Sequence, residues 1–512
     1  MKLYLKFFAV TFFVSTALAD RAQVNSPQLQ PIDTYHSGIF VGSLYKQPIP
    51  HSNRSILIAD LRGTYQDMGK EYGALLSRNG ALLSNNNDPN YDLLISFYNN
   101  LTNLPLEHNF LMSSLYKYIL LPQSKKHIPQ QEMDMINGAA ETSGLTPDQL
   151  ILLDKTLFFT FLSHLSTAEL ASAFPGVGMI SENSVVPPGC STLAVWGDYT
   201  ASGDLLVGRN FDWAKSAYPA FNSPNSPNML LVTIYHPTDA QGTRIANTVA
   251  TLGYPGWFST ITGMNDKHLF LELNSGWYSS YAINMIYDNS PQSYMDVLTN
   301  TLFTANTYAD LYTAIQNSSP DMGYMIFGAD GVSKKAFFAE MIPDTIPGMK
   351  FLPKTVWMRE NSSKSHYAAD AEIKDQNVLL ATNTFRLDDG KKQVWTTKTL
   401  IPWPYPDASK DPNDSFPMLR YDNLLHLAQA NKGKLDVEAM EKIFEKSING
   451  SGENAGATEY QYDPKGTKEI SNTFYTVIVD FAQNVWHVRQ TGITKGQGGE
   501  DWVDIDLAQF FK

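Results

Sequence analysis

One cysteine occurs in the 512 residues, Cys190, within Pro187-Pro188-Gly189-Cys190-Ser191-Thr192-Leu193-Ala194-Val195-Trp196. A lone thiol forms no intrachain disulfide, so it is either a small buried filler of a core or a nucleophile. The flanking residues indicate how it would be activated. If the Gly189-Cys190 peptide bond is broken, Cys190 carries a thiol and a free α-amine, a nucleophile and a general base about one side chain apart. The amine's ordinary pKa of about 7.7 to 8.0 suits proton exchange near neutrality, and a thiol near about 8.5 needs only modest help. Gly189 offers a carbonyl with no side chain to hinder attack, and Pro187-Pro188 restricts the approach of the chain. These residues predict a precursor that uses Cys190 to cut itself.

Four further places carry residues suited to such a site. Gly208-Arg209-Asn210-Phe211-Asp212-Trp213 follows about one hairpin later. If its strand pairs with the one that starts at Cys190, Arg209 lowers the thiol pKa and Asp212 orients the new ammonium. The alternative is an ordinary ion pair at a sheet end. Asn274 in "LFLELNSG" and Asn383 in "LLATNTF" each close an apolar strand with a neutral donor, as an oxyanion requires, or else cap a turn. Arg420 in "FPMLRYDNL" opens a helical stretch and either assists the cluster or pairs on the surface. The ten histidines are scattered, and no HExxH, CxxC or GxSxG spacing supports a metal site or a serine elbow.

The elements that must position these residues fall into two regimes. "GTYQDMGKEYGALL" has helical spacing rather than the form of a phosphate-binding loop, and Thr146-Pro147-Asp148 starts a second, apolar helix over Leu150 to Leu165. Up to about residue 175 the chain therefore reads as mainly helical. A Gly-, Pro- and Ser-rich break from Phe174 to Gly189 follows. At Cys190 the period changes to two. Thr192 to Trp196 and Leu205 to Arg209 form a hairpin, and others surround Asn265-Asp266, Asp330-Gly331 and Gln483-Asn484. Helical stretches at Tyr294 to Thr301, Tyr308 to Gln316, Met418 to Ala430 and Val437 to Ile448 lie between. Segregated helices and antiparallel runs predict α+β, layered sheets covered by helices.

The first residues have Lys2 and Lys6, an apolar run from Phe7 and a small-residue site at Ala17-Leu18-Ala19, the pattern of a cleaved export signal over 1–19. Without those two lysines, 36 basic against 51 acidic residues leave a net charge of −15. That balance argues against nucleic acid or an anionic membrane as partner. No later segment approaches the roughly 18 to 20 apolar residues of a spanning helix, so stable membrane insertion is not expected.

"GCSTLAVWGDYTASGDLLVGRNFDW" resembles the N-terminal-nucleophile hydrolases of the isopenicillin N acyltransferase type, with acid ceramidase, N-acylethanolamine acid amidase and choloylglycine hydrolases as relatives. "RGTYQDMGKEYGALL" and "INGAAETSGLTPDQLILLD" are similar to that family's opening stretches, and the first hairpin is a few residues longer here. The resemblance implies a four-layer αββα sandwich preceded by a mainly helical segment. It further implies self-cleavage into a heterodimer of 20–189 and 190–512, with no metal or organic cofactor. Carried over by position, Cys190 is nucleophile and processing residue, Arg209 its pKa partner, and Asp212 the contact for the freed amine. Asn274 and Asn383 are the oxyanion donors, and Arg420 is a late active-site arginine. The expected activity is hydrolysis of a small-molecule N-acyl amide through a Cys thioester in an exported protein. Acyl transfer to an amine, a phospholipase B-like esterase and a non-catalytic exported binding protein stay open as alternatives.

Overall fold

The computed structural model describes residues 28–82, 121–155, 190–213, 230–275, 293–320, 323–341, 356–360, 376–383, 416–445, 472–490 and 500–512. The expected export signal, the Phe174 to Gly189 break and the far end of the Leu150 to Leu165 helix lie outside them.

In chain order the strands begin with β1 (Asp33–Ser37), β2 (Phe40–Pro48), β3 (Ser55–Gly63), β4 (Cys190–Val195), β5 (Leu206–Trp213), β6 (Leu231–Pro237), β7 (Val249–Gly253) and β8 (Thr262–Asn265). They continue with β9 (Leu269–Ser275), β10 (Tyr324–Asp330), β11 (Lys335–Met341), β12 (Val356–Arg359), β13 (Val378–Ala381), β14 (Asn472–Asp480), β15 (Val485–Gln490) and β16 (Val503–Asp506). The helices are α1 (Tyr65–Arg78), α2 (Leu121–His127), α3 (Gln130–Ser143), α4 (Pro147–Asp154), α5 (Tyr294–Thr304), α6 (Tyr308–Gln316), α7 (Phe416–Ala430) and α8 (Val437–Glu445).

Ten strands form one sheet in the order β1-β2-β3-β6-β7-β8-β9-β10-β11-β12, and six form another in the order β13-β4-β5-β14-β15-β16. The side-chain period of two decides what each face meets. On β4 and β5, Cys190, Ala194, Val207 and Phe211 join the core shared with the ten-stranded sheet. Their neighbours Leu193, Val195 and Leu206 instead join Tyr421 and Leu424 of α7 and Met440, Ile443 and Phe444 of α8. Gly208 makes room for this outer layer, since a Cβ there would lie 2.2 Å from the Phe444 ring. The ten-stranded sheet alternates likewise. Thr262 points to the six-stranded sheet, where it meets Arg209, while a Cβ on Gly263 would run into Leu302 of α5. Helices α1, α5 and α6 pack on the ten-stranded sheet, and α3 packs on α1. The result is the expected α+β, αββα arrangement, with two facing sheets between helical layers.

The hairpins and helices read from the sequence after Cys190 are present within a few residues of their expected ends. Before it, the mainly helical reading missed β1, β2 and β3. β3, "SILIADLRG", is buried along almost its whole length, so it has no alternating pattern to announce a strand. It joins the later chain by a parallel pairing with β6, from Leu57 opposite Leu231 to Gly63 opposite Pro237. "GTYQDMGKEYGALL" is helix α1, capped by Thr64, whose hydroxyl accepts from the Asp67 backbone N–H.

Candidate active site

The hairpin of β4 and β5 pairs Cys190 with Phe211 and Thr192 with Arg209, which returns the Arg-Asn-Phe-Asp segment to the cysteine as expected. On the other edge of β4, β13 sets Ala381 opposite Thr192, and two more residues in that register bring Asn383 level with Cys190. Helix α7 lies across β4 and β13 and delivers Arg420 to the same point.

Cys190 is therefore gripped through its main chain. Its backbone N–H donates to Asn383 Oδ1 at 3.0 Å, and its carbonyl accepts from Arg420 Nη1 at 3.1 Å. The same Nη1 reaches Asp212 Oδ2 at 3.2 Å, and Arg420 Nη2 donates to Asn383 Oδ1. Asp212 Oδ1 accepts from the Thr473 hydroxyl at 2.6 Å. The thiol accepts from the backbone N–H of Asp212. Four of the residues read from the sequence, Cys190, Asp212, Asn383 and Arg420, thus form one connected, fully buried group.

Arg209 stands two pairs further along the hairpin, opposite Thr192 and on the face of Cys190. Its Nη1 donates to Thr262 Oγ1 at 2.6 Å and to the Tyr475 hydroxyl at 2.7 Å, and its Nη2 donates to the Leu273 carbonyl at 2.8 Å. Its Nε lies 2.8 Å from Glu272 Oε2. The guanidinium also sits 5.3 Å from the Phe211 ring centroid and 5.6 Å from that of Tyr475. A charge removed from water this completely requires such partners.

The electrostatics correct one expectation. Burial pushes the Cys190 thiol up to about 11 in the uncut chain. Arg209 pulls it down, as the sequence suggested, and so does the Asp212 N–H, while the carboxylates of Asp212 and Glu272 push it up. Desolvation outweighs the arginine because the thiol is 2% exposed and has two buried acids nearby.

Both expected oxyanion donors are engaged in this arrangement. Asn383 Nδ2 donates to the Ser275 carbonyl at 2.7 Å, and Asn274 Nδ2 donates to the Thr192 hydroxyl at 2.8 Å. Asn274 Oδ1 is buried and has no hydrogen-bond partner among the described residues. The sequence reading passed over Glu272, Thr192, Thr262, Thr473 and Tyr475. Glu272 had a signal: it is a lone acid inside the apolar run "LFLELNSG", and a buried charge implies a buried partner. The threonines and the tyrosine had none, because their types are ordinary on strands.

Near this hairpin Trp257 packs edge-to-face on Phe211 at 6.1 Å and on Tyr254 at 5.0 Å. Trp196 is half-buried against the shared core, and Trp277 and the Trp213 side chain lie outside the described residues. Among the described residues one group of three acids is close enough to hold a metal: Glu132, Asp154 and Asp296. Lys155 supplies the cation there, with Nζ 2.9 Å from Glu132, 2.6 Å from Asp154 and in contact with Asp296.

No family model matches the chain, and no curated protein matches it in sequence. Among solved structures it is similar to a Caenorhabditis elegans N-acylethanolamine-hydrolyzing acid amidase ortholog, with 12% identity and a TM-score of 0.32 over 57% of this chain and 92% of that one. It is also similar to two variants of the conjugated bile acid hydrolase from Clostridium perfringens. One is 14% identical with a TM-score of 0.37, the other 15% with 0.35, each over 62% of this chain and 93% of theirs.

Proposed function

We propose that the protein is an exported, self-cutting amidohydrolase whose nucleophile is the thiol of Cys190. The observation that carries this reading is the grip on Cys190: its N–H on Asn383, its carbonyl on Arg420 and its thiol on the Asp212 N–H. An inert core thiol needs packing only. Here polar groups hold the main-chain nitrogen that a cut before Cys190 would turn into a catalytic amine, and the carbonyl beside it.

Gly189 lies outside the described residues, so the cut is argued from chemistry. The Cys190 sulfur attacks the Gly189 carbonyl carbon, the C–N bond breaks, and the Cys190 nitrogen takes the proton that the thiol releases. Water then hydrolyses the thioester to a Gly189 carboxylate and restores the thiol. The new amine remains beside Asn383 Oδ1, with the Asp212 carboxylate held near by Arg420. In turnover this amine takes the thiol proton and the sulfur attacks the acyl carbon of an N-acyl amide. The leaving amine departs with that proton, and water hydrolyses the thioester to the free acid. One oxyanion donor would come from Asn383 once its amide leaves Ser275. Water is the preferred acceptor, because export removes the protein from acyl-coenzyme A pools.

The test is intact-mass spectrometry of the purified protein beside Cys190→Ala, with sequencing of any new N-terminus. Two chains in the wild type, the larger starting at Cys190, and one uncut, inactive chain in the variant are expected. A wild type that stays in one piece through long incubation from acid to neutral pH would move the binding-protein reading to the front. Matched amide and ester substrates, with and without an added amine, then separate hydrolase, esterase and transferase.

A further inference from the structure

The mechanism above leaves unused a buried acid that acts on the Cys190 thiol. Glu272 is fully buried on β9, on the face turned to the six-stranded sheet. Its Oε2 lies 2.8 Å from Arg209 Nε, while its Oε1 accepts from the Thr192 hydroxyl and lies 3.5 Å from Asn274 Nδ2. Thr192 is two residues from Cys190 and so shares its face of β4. One carboxylate therefore joins β4, β5 and β9 across the gap between the two sheets, immediately behind the thiol.

We propose that Glu272 is a positioning residue of this site: it anchors Arg209 against β9 and offsets the arginine's charge where that charge would otherwise act on the Cys190 thiol. The inference rests on the reading of Cys190 as nucleophile. The Arg209 guanidinium has fixed contacts at Thr262, Tyr475 and the Leu273 carbonyl, and Glu272 supplies its counter-charge. Among the described residues the titratable or charged groups around Glu272 are Arg209 and Cys190 on the facing sheet and Tyr475 beyond Arg209; Thr262 on β8 and Phe327 on β10, its partners in its own sheet, are neutral. Burial pushes the Glu272 carboxyl up to about 7, against the pull of Arg209 and of the Thr192 hydroxyl. Removing the negative charge while Arg209 stays in place must favour the thiolate, because Glu272 is one of the groups that push the thiol up.

The experiment is the pH profile of Cys190 alkylation by iodoacetamide in four proteins: wild type, Glu272→Gln, Arg209→Gln and the double variant. The lone cysteine makes the readout unambiguous, with Cys190→Ala as blank. Glu272→Gln should alkylate about threefold to tenfold faster at neutral pH, with the profile displaced to lower pH. In the Arg209→Gln background the same substitution should change the rate by less than about twofold, because a buried acid without its arginine takes up a proton. An equal effect in both backgrounds, or a Glu272→Gln profile that superimposes on wild type, overturns the proposal. Should Glu272→Gln fail to fold alone, Arg209→Gln against the double variant decides. In both of these the charge pair is absent; rates equal to each other and within about twofold of the wild type support the coupling, while a tenfold difference between them, or a tenfold fall in both, refutes it. Loss of amidase activity on alkylation is scored separately, since retained activity in the alkylated protein would sink the nucleophile reading and leave the Glu272 coupling standing.

Discussion

Asn383 makes two contacts through two different atoms, and the first was not expected from the sequence. Its Oδ1 takes the Cys190 N–H, and its Nδ2 is the candidate oxyanion donor now resting on Ser275. Substitution can divide them. Asn383→Asp keeps an oxygen opposite the Cys190 nitrogen and should cut itself, whereas Asn383→Ala should cut slowly or not at all, as judged by the same two-chain pattern. Both lack the donor, so turnover on an N-acyl amide should fall by about 10² to 10³ in each. Wild-type turnover in Asn383→Ala would remove the residue from the oxyanion role. At this scale the sequence was informative wherever a residue type was rare in its surroundings: one cysteine in the chain, an Arg and an Asp in one apolar strand, an Asn at a strand end. It was silent on Thr192, Thr473 and Tyr475, which matter only through the partners that the fold brings to them.

Among the elements, α3, α4 and α5 meet at a buried lysine. Lys155 Nζ is shared by Glu132 of α3, Asp154 at the end of α4 and Asp296 of α5, and Asp154 Oδ1 also accepts from the backbone N–H groups of Phe258 and Ser259 at 2.6 and 2.8 Å. Lys155→Met would leave three acids facing one another without a cation. A loss of about 3 to 5 kcal/mol in a denaturant melt is expected, greater at neutral pH than under acid conditions that neutralise the carboxyls. A loss below about 1 kcal/mol at neutral pH would mean that the helices are held by their apolar contacts alone. Element order was legible after Cys190, where turns carrying Asn, Asp and Gly separate the strands. It was poorly legible before it, because the apolar run of β3, Ile56 to Ala59, is short and does not alternate.

In the molecule as a whole, the proposed cut falls between two parts that do not form separate bodies. Strands β1 to β3 belong to the chain before Cys190, yet they complete the ten-stranded sheet through β3 and β6. The Tyr72 hydroxyl of α1 accepts from the Gly256 N–H at 2.7 Å, a second tie across the cut. Processed protein should therefore elute from a sizing column as one species of the uncut size, its fragments separating only in denaturant. Fragments that part under native conditions would contradict the shared sheet.

The parallel pairing of β3 with β6 also gives the molecule a direction in time. Before the cut, β3 and β6 are tethered through one chain, and their meeting is an intramolecular search. Afterwards the same meeting is a bimolecular encounter, between partners that each expose an unpaired strand edge. A processed protein that has once been unfolded should refold poorly and with a yield that depends on concentration, whereas Cys190→Ala should recover independently of it. The cut would then convert an equilibrium fold into one that persists by the slowness of its unfolding, made once and not remade.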